Sequence, residues 1–82
     1  MPDEVIHLVL PAAAEFAPVA SVAVRAVARQ VALPESEINR VRAALAAAIE
    51  ERLATADPTP IAIDLHPSPG ALRVELDGTD VG

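Results

Sequence analysis

The chain has 82 residues, 52% of them apolar and 22% charged, with 12 acidic against 6 basic side chains and a formal charge of -6. That length holds one domain, residues 1–82, whose core is too small for comfortable stability without a disulfide, a metal or a second subunit. Cysteine is absent and His7 and His66 are the only histidines, which excludes disulfides and a Cys/His zinc cage and leaves self-association as the remaining aid.

Every cation is an arginine, and an acidic chain without clustered positive charge does not suit nucleic-acid phosphates. No run reaches the ~20 apolar residues of a membrane span, and Met1-Pro2-Asp3-Glu4 is unlike the basic start of a signal peptide, so the expectation is a soluble, cytoplasmic protein.

Val5-Ile6-His7-Leu8-Val9-Leu10 is apolar, β-branched at three positions and closed by Pro11, which predicts a strand. Ile6, Leu8 and Leu10 fall on one face and Val5 and Val9 on the other, so the strand is expected to be covered on both sides. From Ala14 to Ala32 the apolar positions Phe16, Val19, Ala20, Ala23, Val27 and Val31 recur at helical spacing. Pro18 is compatible with a helix that starts within about four residues before it, where the leading N–H groups have no intrahelical acceptor. Val22 and Val24 extend the apolar surface beyond one core-facing band and need a cover.

Leu33-Pro34 interrupts the pattern, and Glu35-Ser36-Glu37 opens a second helix with carboxylates at the positive end of its dipole. Its stripe is Ile38, Val41, Leu45, Ala48, Ile49 and Leu53, ended by Asp57-Pro58-Thr59-Pro60. Ile61–Leu65 and Leu72–Leu76 then alternate with period two, and residues 66–70 between them read as a hairpin turn. Asp77-Gly78 reads as a strand-ending turn. The expected fold is α+β, a two-layer sandwich in β-α-α-β-β order, with two helices on one face of a three-stranded, mainly antiparallel sheet. Ala62, Asp64, Arg73 and Glu75 would face water on the other side.

Over residues 5–80 this order resembles the N-terminal half of the anti-sigma-factor serine kinases, a branch of the bacterial histidine-kinase-like (Bergerat, GHKL) ATPases. The likeness lies in "LPAAAEFAPVASVAVRAVARQ" as first helix and "INRVRAALAAAIEERL" as second, between a first strand and a hairpin. It implies half of a Bergerat fold. In that family a Glu-x-x-x-Asn pair on the second helix polarises the attacking group and holds magnesium on ATP. Here Ala47 stands at the Glu position and Glu51 at the Asn position, and sliding to Glu50 or Glu51 brings Ala54 or Thr55 to the Asn position. Glu35-x-x-x-Asn39 matches literally but lies in the opening turn, where capping is the expectation. Asp80 and Gly82 match a fragment of the adenine-reading Asp-x-Gly-x-Gly box, and the glycine-rich lid has no counterpart.

The resemblance therefore implies a degenerate relative with no catalytic residues, no cofactor and no metal: a regulatory protein-interaction module. The alternative is an ATP-binding serine kinase-like anti-sigma factor with a drifted site. The implied partners are a second copy and a sigma factor or anti-sigma antagonist, with Val22, Val24, Arg25 and Arg29 as interaction candidates. Glu50 and Glu51 diverge by about 100° on a helix and serve as solvated surface. His7 and His66 are expected to meet if the first strand lies beside the hairpin, without making a metal site. Arg25, Arg29, Arg40 and Arg42 form either a small basic patch or surface ion pairs. The abrupt end at Asp80-Val81-Gly82 raises a third possibility, that the sequence is part of a longer natural chain.

Overall fold

The computed structural model describes residues 4–81; Met1, Pro2 and Asp3 of the opening segment and Gly82 of the box fragment lie outside the described residues. The elements are β1 (Ile6–Leu10), a 3-10 turn (Ala14–Phe16), α1 (Ala17–Gln30), α2 (Glu35–Ala54), β2 (Ile61–Ser68), β3 (Ala71–Leu76) and β4 (Thr79–Val81). The fold is α+β, as expected, but the sheet has four strands rather than three, all antiparallel, in the order β1-β2-β3-β4. The chain order is accordingly β-α-α-β-β-β.

The fourth strand follows from the Asp77-Gly78 turn. Both residues have positive φ, 50° and 83°, the combination of a two-residue hairpin loop whose twist matches its strands. Asp77-Gly78 therefore turns the chain back, and Thr79–Val81 pairs with Val74–Leu76. The earlier hairpin is also tighter than expected: β2 runs on to Ser68, so residues 66–68 belong to the strand and Pro69-Gly70 makes the turn. Gly70, at φ 72°, donates its N–H to the Val31 carbonyl at 3.1 Å and ties this turn to the end of α1.

The helices cover one face of the sheet, α1 over β2 and β3 and α2 over β3 and β4. Under them lie Leu10, Ile61, Ile63, Leu65, Val74 and Leu76, all buried. The α2 stripe is as predicted, with Ile38, Val41, Leu45 and Ile49 buried and Ala48 and Leu53 packed at its margin. Pro18 sits in the first turn of α1, as its missing N–H requires. The α1 stripe is rotated from expectation. Its buried residues are Ala20, Val24, Val27 and Ala28, and Val19 points outward. The polar stripe of Ser21, Arg25 and Arg29 is narrow, so the apolar arc is wider than the face the sheet covers and the spacing alone leaves the inward direction open within that arc.

At the end of α1 the Ala32 N–H bonds the Arg29 carbonyl at 3.1 Å and the Leu33 N–H bonds the Ala28 carbonyl at 3.0 Å. This is a Schellman motif, whose left-handed position glycine normally fills, yet Ala32 holds it at φ 60°. Ala32→Gly is expected to stabilise the fold by about 0.5–1 kcal/mol, the relief of the Cβ clash less glycine's greater unfolded-state entropy. Thermal denaturation checks it; an unchanged midpoint would remove the strain.

Candidate functional site

The positions that a Bergerat-type site would use are not brought together. Ala47 and Glu51 are exposed on α2, whose inner side packs on the covered face of the sheet. Asp80 lies in β4 opposite Glu75, on the open face. Glu50 is exposed as expected. Glu35 makes no cap: α2 has no side-chain cap hydrogen bond, and Glu35 instead meets Arg29 at 3.5 Å. Asn39 is exposed.

The open face carries a polar arrangement created by strand register. His7 faces Asp64, Asp64 faces Glu75 and Glu75 faces Asp80, so one row of ionisable residues crosses all four strands. His7 Nδ1 lies 2.5 Å from Asp64 Oδ1, and His66 Nε2 lies 2.8 Å from Glu75 Oε1. Strand one does lie beside the hairpin, but the two histidines do not meet, because each takes a carboxylate on the neighbouring strand. Among the described residues no group of three His, Asp or Glu side chains is placed to hold a metal ion.

Arg29 and Arg40 form surface ion pairs with Glu35 and Glu37. Arg40 is 2.6 Å from Glu37, and its hydrogen bond and charge hold the Glu37 carboxyl below its ordinary value. Arg42 donates to the Ser21 hydroxyl at 2.7 Å and links α2 to α1. Arg52, 12% exposed, is the most engaged: Nε donates to Asp77 Oδ2 at 2.9 Å, Nη1 to the Asp57 carbonyl at 3.1 Å and Nη2 to the Thr59 carbonyl at 2.6 Å. Asp77 in turn accepts the Ala62 N–H on Oδ1. Hydrogen bonds from Thr59 hold the neighbouring Asp57 carboxyl below its ordinary value.

What remains is an apolar surface on α1. Val22 is 69% and Val19 48% exposed, and with Pro18 and Ala23 they line one shallow, almost wholly apolar depression. Arg25 and Arg29 are exposed near by on the same helix. Val24, expected on this surface, is completely buried and belongs to the core; the rotation of α1 moves it inward and brings Val19 out. The expected second cover over β1 is also absent among the described residues, since Val9 is 68% exposed on the open face.

No protein-family model, curated protein or solved structure matches the chain. Among the described residues no helix is long and apolar enough to cross a membrane.

Proposed function

We propose that this protein is a non-catalytic, regulatory protein-interaction module of the bacterial cytoplasm, built on a scaffold like that of the anti-sigma-factor kinases without their ATP site. The observation that carries the reading is the exposed apolar surface of α1, centred on Val19 and Val22 and flanked by Arg25 and Arg29. Aliphatic side chains held in water on a rigid helix, with guanidinium groups at the margin, have the make-up of a protein contact: an apolar centre and a polar rim. The first partner is a second copy. By the sequence resemblance, a sigma factor or an anti-sigma antagonist is the regulatory partner.

Against nucleotide chemistry stands the separation of Ala47 and Glu51 on α2 from Asp80 on the open sheet face. Neither Ala47 nor Glu51 has the chemistry to place magnesium on a triphosphate. Titration calorimetry is expected to give no magnesium-dependent ATP binding, and the double variant Ala47→Glu, Glu51→Asn is expected to remain inactive. A saturable signal in the micromolar range would overturn the reading in favour of a drifted kinase, and would raise stability by about 2.7 kcal/mol at 100 times the dissociation constant.

A further inference from the structure

Asp77 and Gly78 form the β3-β4 turn, both at positive φ, a conformation that favours this dipeptide. The same pair is chemically reactive. The carboxyl carbon of an aspartate and the next backbone nitrogen are spaced to close a five-membered ring, and a following glycine has no Cβ to obstruct their approach. Gly78 is the one glycine in the chain that an aspartate precedes. Asp57 precedes Pro58, whose nitrogen has no hydrogen to give, and Asp64 and Asp80 precede Leu65 and Val81 within strands.

The Asp77 carboxyl is not free to turn towards Gly78. Arg52 Nε donates to Oδ2 at 2.9 Å and the Ala62 N–H donates to Oδ1 at 3.1 Å, so α2 holds one oxygen and β2 the other. The Asp77 N–H bonds the Ala62 carbonyl in return at 2.8 Å, which fixes the residue by its backbone as well. Arg52 is itself anchored, 12% exposed and bonded to the Asp57 and Thr59 carbonyls. The Asp77 side chain is 37% exposed, so water reaches it.

We propose that Asp77-Gly78 is a latent isoaspartate site that Arg52 keeps closed. In the reaction the Gly78 nitrogen attacks Asp77 Cγ. The N–Cγ bond forms, one carboxyl oxygen leaves as water with the amide and carboxyl protons, and a cyclic imide results. Water then opens the ring. Addition at Cγ restores aspartate. Addition at the Asp77 main-chain carbonyl breaks its bond to the Gly78 nitrogen and leaves the chain linked through Cγ, one methylene longer, beside a free α-carboxylate. Water is the only co-reactant, and nothing is oxidised or reduced. A two-residue loop has no room for an extra backbone atom, so the product loses the register of Thr79–Val81 on Val74–Leu76. Ring closure requires the bonds to Arg52 and Ala62 to break first, so the modification follows local opening at this corner of the fold.

The full chain is incubated in mildly acidic buffer, and the isoaspartyl form at residue 77 is followed over time. It has the mass of the original and is separated from it by chromatography after proteolysis. Folded wild type is compared with the same chain unfolded in urea, with Arg52→Ala, and with Val27→Ala, a core truncation on α1. Urea is added to the more stable of the two variants until their unfolded fractions match; should Arg52→Ala not fold, Arg52→Lys takes its place. The unfolded chain is expected to form isoaspartate at 77, the folded wild type about tenfold more slowly or less, and the Arg52 variant about tenfold faster than the matched Val27→Ala, the rate equivalent of one charge-assisted hydrogen bond. No isoaspartate at 77 in the unfolded chain would overturn the site. A folded wild type as fast as the unfolded chain would overturn its protection by the fold. Equal rates in the two matched variants would assign the protection to global stability and overturn the role of Arg52.

Discussion

Val24→Asp is expected to abolish cooperative folding, whereas Val22→Asp, two residues away on the same helix, leaves the folded monomer nearly as stable as the wild type. Val24 is completely buried and Val22 is 69% exposed. A carboxylate at position 24 would sit among the core residues of α1 and the sheet, where the buried side chains are all apolar among the described residues and no cation is placed to pair with it. The uncompensated charge costs about 3–5 kcal/mol, and the lost valine burial adds about 1.5 kcal/mol or more. An 82-residue domain has roughly 4–12 kcal/mol in total, so the loss takes most of it. At position 22 the carboxylate stays in water and the folding cost is about 0.5 kcal/mol, from helix propensity. Circular dichroism melts in dilute solution separate the two variants. A Val24→Asp protein that melts like the wild type would mean that α1 is turned with Val24 outward. The Val22→Asp variant has a second readout, because a carboxylate at the α1 flank is expected to weaken self-association without unfolding the chain.

Arg52→Ala is expected to lower stability by about 2–3 kcal/mol, a large effect for a residue that reads in the sequence as one more surface charge on a helix. The guanidinium joins three separate parts of the chain: α2, on which it sits, the Asp57–Thr59 loop that leads into β2, and Asp77 at the β3-β4 turn. Its removal leaves two carbonyls and one carboxylate to be resatisfied by water, and each charge-assisted hydrogen bond contributes about 1.5–3 kcal/mol net of the bonds water would make. The three share one donor group and do not add. A fall in melting temperature of roughly 8–20 °C is the expected reading for a domain of this size. Arg52→Lys should recover less than half of it, since a single ammonium cannot reach all three acceptors in the fork geometry. If Arg52→Ala melts within about 2 °C of the wild type, the clamp contributes nothing measurable to stability.

Most of the element order was legible in the residues because it rests on short-range periodicity. The alternation of Ile61–Leu65 and Leu72–Leu76, the spacing of Ile38, Val41, Leu45 and Ile49, and the position of Pro18 each specify local structure without reference to the rest of the chain. β4 escaped because three residues carry no period, and its existence depends on Val74–Leu76 being there to pair with. The Glu-x-x-x-Asn comparison placed Ala47 and Glu51 on one helix, and both are exposed; that they stand apart from Asp80 is a property of the sheet.

The amino-acid sequence by itself determined the two helices, three of the strands, the apolar face of α2, and the lack of cysteine and of clustered positive charge. Each of these is a matter of which side chains are present and how they repeat over a turn or two. Only the tertiary structure decided which part of the broad apolar arc of α1 faces inward, since Ser21, Arg25 and Arg29 occupy a narrow stripe and the choice within the rest falls to the fit of Ala20, Val24 and Val27 against the sheet. Antiparallel register set the partners of the two histidines: His7 opposes Asp64 across β1 and β2, and His66, which opposes Arg73, reaches diagonally to Glu75. Arg52 gained its three acceptors when the turn after β3 closed against the end of α2. These are long-range contacts, and a local pattern carries no information about a partner that only folding brings within about 3 Å.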